Sequence, residues 1–564
     1  MRKGGGDMIL NEKKKLLLIV GVVVLVTLAL MLWSPKQPGI MTVKPNIATT
    51  EDPDNPTLND TVTTISLTFT EKIDPTTIAD AVKLYRIDGN GNTVEEPGVI
   101  KIDAADPKVI DINNKAMTAL TQGEEYQISI SRDLKAKSGS SLASNFVGYF
   151  ATNYQLNLAG NKDLNNERTQ IVVISDIHLG IDDRYTETLA NRQPLVDYLN
   201  QVKASPNVKE LVIAGDFLDF WMLPMDYIMP DSQSAFYDAV AANNQTVVDA
   251  INAIIQGGEI KVTYIPGNHD LLATDADIAR IFPGINQARD SMLGLGSYVT
   301  GTNSEIVIEH GHRYDLYSAP DPISNREITQ NGTSILPPAY FYARIGSSAV
   351  AEGYPKTTNT FPDLKVDKDD ANQLNIYRYA QVWKALLSAI PIKESYADPV
   401  IKTNVDGYTQ TYAVDDLLPH QNDDGTLSMN LYKDIQSTWD ERQSINGVKV
   451  NIPVADAVAK SADSAFIDSQ AQTQIFDTDP TKRIVVFGHT HHARIAPMTN
   501  LAGQKTIYAN SGTWIDHAPG NPSMTFVVIS PQKADSAIET VNLYQYAKDQ
   551  TITQWADGQA ITNP

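Results

Sequence analysis

Between residues 170 and 492 a short apolar run ends in a cluster of Asp, Asn, Gly and His again and again. Ile171–Ile174 runs into Ser175-Asp176-Ile177-His178, and Leu211–Ala214 into Gly215-Asp216-Phe217-Leu218-Asp219. Lys261–Ile265 runs into Pro266-Gly267-Asn268-His269-Asp270, and Glu305–Glu309 into His310-Gly311-His312. Ile484–Phe487 runs into Gly488-His489-Thr490-His491-His492. Short uninterrupted apolar runs are the buried strands of α/β sheets, and a helical stretch (Phe236, Val240, Val247, Ile251, Ile254) separates two of them. The polar clusters all fall where a strand ends, the edge at which open α/β sheets bind ligands.

Histidine is scarce, which sharpens the pattern. Of nine in the chain, seven lie in these clusters; His420 and His517 read as surface residues. One histidine alone is usually an ordinary surface or core residue. Four groups of them at strand ends, two of them beside Asp or Asn, are not explained by packing. There is no cysteine, which excludes disulfides, thiolate zinc sites, iron–sulfur clusters and thiol catalysis. Imidazole and carboxylate without thiol suit Zn, Mn or Fe. The net charge of −22 makes nucleic acid an unexpected partner, because such binding relies on Lys and Arg neutralising phosphates.

Two further regions precede these motifs. Leu16–Trp33 is an uncharged apolar run long enough, as a helix, to span a bilayer. Lys13–Lys15 before it predict residues 1–15 inside and everything after 16–33 outside. A cleaved signal peptide is the competing reading; Ser34-Pro35-Lys36 offers no small-residue cleavage site. After a linker at 34–40, Thr64–Thr70 and Tyr126–Ser131 alternate polar and apolar residues, the period of half-buried strands. With turns between them they predict an all-β sandwich over 41–152. It resembles a bacterial Ig-like domain in ISLTFTEKIDPTTI, LTQGEEYQISIS and SGSSLASNFVGYFAT, and reads as a spacer or a surface-adhesion module.

Asp176-x-His178, Gly215-Asp216, Gly267-Asn268-His269-Asp270, His310-Gly311-His312 and Gly488-His489-x-His491 together resemble the signature of the calcineurin-like metallophosphoesterases, in the family's order. The resemblance covers about 170–530, with an insertion at about 313–480, and leaves 531–564 as a C-terminal strand and tail. It implies an α/β fold, a four-layer β-sandwich flanked by helices, whose strands Thr525–Ile529 and Ala537–Tyr546 close the second sheet. It also implies two divalent metal ions. Asp176, His178 and His491 would hold one; Asn268, His310 and His489 the other. Asp216 would bridge them with its two oxygens. A hydroxide shared by the ions would attack phosphorus, His269 would protonate the leaving oxygen, and Asp270 would orient the His269 ring.

DIHLG at 176–180 and GDFLDFW at 215–221 are similar to the branch that contains UDP-2,3-diacylglucosamine hydrolases, although HGH at 310–312 departs from that branch's HGD. Asp219, His312 and His492 are candidate substrate contacts, and Asn510–Trp514 is expected beside the site. The insertion contains Ile376, Tyr379, Trp383, Leu387 and Ile390 at helical spacing, and is expected to cap the catalytic edge. The expected activity is hydrolysis of a phosphoester or pyrophosphate bond in a small or lipid-linked substrate, outside the cell membrane. The alternatives are an extracellular nucleotidase or cyclic-nucleotide phosphodiesterase, and a surface binding protein whose fold is catalytically idle. Oligomeric state is not legible.

Overall fold

The computed structural model describes residues 39–153, 168–531 and 538–562, apart from positions 90, 231, 291–292, 333, 434 and 461–462. The membrane-span expectation for Leu16–Trp33 lies outside the described residues. Among those described, no helix is long and apolar enough to cross a membrane.

The N-terminal unit is a sandwich of two sheets. Val43–Pro45, Ile65–Phe69, Val109–Asn114 and Gly98–Ile102 form one. Thr57–Asn59, Phe146–Thr152, Glu125–Ile130, Val82–Ile87 and Thr93–Glu95 form the other, in that order. Alternation decides what is buried: Ile65, Leu67 and Phe69 point inward to meet Ile128, Ile130 and Phe150 in one core, while Thr68 between them is exposed.

The second unit packs two larger sheets face to face. A seven-stranded sheet runs Asn286–Gln287, Lys261–Ile265, Val208–Ala214, Gln170–Ile174, Thr525–Ser530, Ile538–Tyr546, Ile552–Thr562. A five-stranded sheet runs Ser297–Thr300, Ile306–Glu309, Ile484–Phe487, Lys505–Asn510, Arg494–Thr499. Period two sends Ile171, Val173, Val212 and Ala214 into the core between the sheets, where they meet Ile306, Ile308, Ile484 and Val486. Their neighbours Val172, Ile174, Leu211 and Ile213 face the opposite way. There they share a core with Leu195, Tyr198 and Leu199 of helix Arg192–Ala204 and Ile251 of helix Gln245–Gly257. These strands are apolar throughout because both faces are covered.

Two expectations about the C-terminus need correction. Thr525–Ser530 and Ile538–Tyr546 extend the first sheet, not the second: Val527 pairs antiparallel with Val173, and Leu543 with Val527. The final strand is no tail either, since Ile552–Thr562 pairs along Ile538–Tyr546 as the sheet's edge. The sandwich domain rests against that edge. Leu58 packs on Ala151, Ile538 and Ala560, and Asn153 and Asn542 exchange amide hydrogen bonds at 3.1 and 3.0 Å in a buried setting.

The insertion is helical and well packed. Helix Ala371–Ala389 starts on Asp370, whose carboxylate accepts from the backbone N–H of Asn372 and Gln373, and buries Tyr379, Trp383 and Leu387 at four-residue spacing. These join Trp439, Ile475 and the second sheet's Val485 and Phe487 in one continuous core. Arg442 is fully buried and donates to the carbonyls of Leu316, Ala319 and Pro320, fastening the insertion's first stretch to its helix Trp439–Ile445.

Candidate metal centre

The strand ends bring the predicted clusters together. Among the described residues, Asp176, His178, Asp216 and His491 place one ligand atom each within 4.8 Å of one another. Asp216, His310 and His489 do the same, as do His178, Asp219 and His269. Asn268 joins the second group, its Oδ1 lying 3.0 Å from His310 Nε2.

Hydrogen bonds decide which nitrogen each ring has free. His178 Nδ1 donates to Asp219 Oδ2 at 2.8 Å, so its Nε2 faces His491 Nε2 at 3.2 Å. His310 Nδ1 donates to the Ala214 carbonyl at 2.8 Å, and its Nε2 faces Asp216 Oδ2 at 3.2 Å. His491 Nε2 lies 3.2 Å from Asp176 Oδ1. Imidazole nitrogens converging on each other and on carboxylate oxygens form a donor set suited to a divalent cation. The residues therefore fit the metals that the motifs imply.

The backbone is shaped for this purpose. Asp176, His178, Asp216, His489 and His491 all have positive φ, between 50° and 67°, a region that costs non-glycine residues energy and clusters at functional sites. Close approach demands glycine at two neighbouring positions. A Cβ on Gly267 would collide with the Asp216 carboxylate and backbone nitrogen; one on Gly488 would lie 2.6 Å from both Asp176 Oδ2 and Ser175 Oγ.

Burial makes the electrostatics strong. Burial alone would lower the His178 pKa, but the bond to Asp219 and the charges of Glu187 and Asp216 raise it to about 10. His310 is raised to about 9: desolvation again opposes, and Asp216 and Asp176 prevail. Burial works to raise Asp216, yet His310 and His269 hold it well below the usual carboxylate range. Asp176 is lowered too, burial being outweighed by His491 and His310.

Three expectations change at this level. Asp270 does not orient His269. Its carboxylate is fully buried and accepts from the backbone N–H groups of Phe217 and Gly267 at 3.0 and 2.5 Å, so it builds the turns that carry the site. Asp219, expected as a substrate contact, does the orienting instead. Its Oδ2 accepts from His269 Nδ1 at 2.9 Å and from His178 Nδ1 at 2.8 Å, while Oδ1 accepts from the backbone of Trp221 and Met222. With both oxygens used and the side chain buried, it has nothing to offer a substrate. Asp216 faces both groups through one oxygen, Oδ2, because Oδ1 accepts from the His269 backbone N–H at 2.8 Å.

His312 lies beside the second group, its ring 5.2 Å from that of His310. It is buried, and its ring nitrogens have no hydrogen-bond partner among the described residues. His492 is exposed at the rim, Nδ1 donating to the Thr490 carbonyl at 2.9 Å. Asn510–Trp514 does sit against the site: Asn510 donates to the Gly488 carbonyl at 2.8 Å, and Thr513 Oγ1 to that of Asp176 at 2.9 Å. The sequence reading missed Glu187, whose Oε2 is 3.5 Å from His178 Nδ1, and Asp315, 3.2 Å from His489 Nε2. Neither sits in a recognisable motif, so no local signal marks them.

Paired sheets with these clusters at the strand ends define a metallophosphoesterase-type domain. Residues 169–337 match the family described as calcineurin-like phosphoesterase, and residues 41–167 match the bacterial Ig-like domain family. The chain therefore carries a calcineurin-like phosphoesterase domain preceded by a bacterial Ig-like domain. No curated protein matches it. Among solved structures, Vps29 from Chaetomium thermophilum aligns over 70% of this chain and 98% of its own at 10% identity, with a TM-score of 0.22. CopC from Methylosinus trichosporium OB3b aligns over 21% and 98% at 13% identity, with a TM-score of 0.14. The alignment with E. coli alpha-2-macroglobulin covers 25% of this chain but only 7% of that protein, at 12% identity and a TM-score of 0.15. These likenesses are too slight to bear on function.

Proposed function

We propose that this chain is a metal-dependent phosphoesterase, anchored by its N-terminal apolar run and facing outward, that hydrolyses a phosphoester or pyrophosphate bond in a small or lipid-linked substrate. The observation that carries this reading is a juxtaposition. Two ligand groups share Asp216, and His269, backed by Asp219, stands beside both.

Asp176, His178 and His491 would hold one divalent ion, and Asn268, His310 and His489 a second, with Asp216 Oδ2 common to the two. Manganese, iron and zinc all suit such ligands. When bound, the ions supply Lewis-acid charge for the phosphate oxygens and an activated water. The chain's own residues do the rest. Asp219 accepts from Nδ1 of His178 and of His269, which turns the Nε2 of each ring away from it. Burial pulls the His269 pKa down, but Asp219 and Asp216 more than compensate and raise it. That shift favours the protonated ring, the form that a group protonating a leaving oxygen needs. Trp221 stacks on it at 4.4 Å and shields one face. An idle binding protein would have no use for this proton donor.

The test is Mn²⁺-dependent hydrolysis of bis(p-nitrophenyl) phosphate by the full chain in detergent, beside Asp216→Asn. The parent is expected to turn over and the variant to lose both activity and bound metal. A parent that is silent on this diester, on a monoester and on a pyrophosphate would leave only the binding reading. For the orientation, protease added to intact cells is expected to digest everything after Trp33; full protection reverses it.

A further inference from the structure

The insertion grips the turn that carries a ligand for each metal position, from both of its ends. That turn, Gly488–His492, holds His489 and His491 at φ of 67° and 59°, so it stays in place only if its surroundings hold it there.

Near the insertion's start, Asp315 Oδ2 accepts from His489 Nε2 at 3.2 Å. This fixes the ring and leaves Nδ1 as the nitrogen for a metal. Near the insertion's end, Asp468 is buried behind the same turn. Its Oδ1 accepts from Tyr508 OH at 2.5 Å, Asn510 Nδ2 at 3.3 Å and Thr490 Oγ1 at 3.4 Å, and its Oδ2 pairs with Arg494 at 3.2 Å. Asn510, held in this way, donates in turn to the Gly488 carbonyl at 2.8 Å and Thr490 Oγ1 at 3.1 Å. One insertion carboxylate thus aims a ligand ring, and the other braces the backbone beneath it.

We propose that the insertion is part of the metal-binding apparatus, with Asp315 and Asp468 as positioning residues for the two-histidine turn. This rests on the metal-dependent reading above. Carboxylates that orient a ligating imidazole raise its basicity and fix its tautomer, and their loss typically costs about 10–100-fold in metal affinity. The two residues differ in what they control. Asp315 Oδ1 accepts from the Tyr317 backbone N–H at 2.9 Å, and the one candidate ligand its side chain touches is His489, so it governs one metal position. Asp468 supports the turn that carries both histidines, so it governs two.

The experiment is Mn²⁺ binding to the full chain after removal of metal by a chelator. Free Mn²⁺ is followed by electron paramagnetic resonance, bound metal by elemental analysis, and fold by circular dichroism. The parent is expected to bind two ions. Asp315→Ala is expected to keep one at the parental affinity and weaken the other by about 10–100-fold. Asp315→Asn, which keeps one acceptor oxygen for the two donors Tyr317 N–H and His489 Nε2, is expected to fall between. Asp468→Asn is expected to weaken both ions; should it fail to fold, the Asp315 pair decides alone. Folded Asp315 variants that bind both ions at the parental affinity overturn the clamp and leave the phosphoesterase reading standing. A parent that binds no divalent ion overturns that reading, and the clamp with it.

Discussion

A single carboxylate, Asp219, orients two imidazoles to which the proposed function gives different tasks: His178 as a ligand and His269 as the proton donor. His269→Ala is therefore expected to cut turnover by about 10²–10⁴-fold while metal content, read by elemental analysis, stays at the parental value. Unchanged turnover would remove the ring from the chemistry. The buried rings also set the behaviour of the metal-free chain. His178 and His310 have folded-state pKa values of about 10 and about 9, above the ordinary 6.5. Their protonated forms stabilise the fold fully below pH 6.5, and that stability is lost as pH rises through 9 and 10. Asp176, Asp216 and Asp219 are depressed below 3.8, so their contribution is present above that value and lost as pH falls below it. Urea midpoints of the metal-free chain should be highest between these limits and drop from pH 7 to 10; a rise over that range contradicts the ion pairs. The motif residues could be read from the sequence because each follows its own strand directly. That Asp219 and not Asp270 orients His269 could not, because Asp270 adjoins the histidine in sequence and only side-chain direction takes its carboxylate to Phe217 and Gly267 instead.

At the level of elements, the strands were legible where both faces are apolar, as in Ile171–Ile174, and where period two is clean, as in Ile65–Phe69. Pairing partners were not. Thr525–Ser530 reads as a buried strand on either sheet, and its place beside Gln170–Ile174 follows from long-range packing of Val527 against Val173. Turns between elements matter as much as the strands. Gly488 touches Asp176 and Ser175 closely enough that one methyl group must displace them. Gly488→Ala is expected to abolish binding at the position served by Asp176 and to lower activity at least tenfold, with little change in circular dichroism. Isothermal titration with Mn²⁺ checks this, and two ions bound at the parental affinity would show that the turn can yield.

On the scale of the whole molecule, the Ig-like domain and the phosphoesterase domain meet through the Asn153–Asn542 pair and a small apolar contact. Asn542→Ala leaves the Asn153 amide buried without that partner, which costs about 1–3 kcal/mol. Calorimetry is expected to show the two domains melting further apart in temperature, and a single unchanged transition would argue against the pair as a coupling. Part of what joins the domains lies far along the chain from the Ig-like domain. Gln170–Ile174, the first strand of the phosphoesterase domain, lies between Val208–Ala214 and Thr525–Ser530, and the strands that receive the Ig-like domain are Ile538–Tyr546 and Ile552–Thr562. A nascent chain that has emerged as far as His491 holds every candidate ligand, yet its central strand still has one open edge. Such edges invite pairing with other chains. Synthesis must therefore pass Ser530 before that strand is covered, and a premature stop codon between His491 and Thr525 would spare every candidate ligand yet still yield a sticky, unfinished protein.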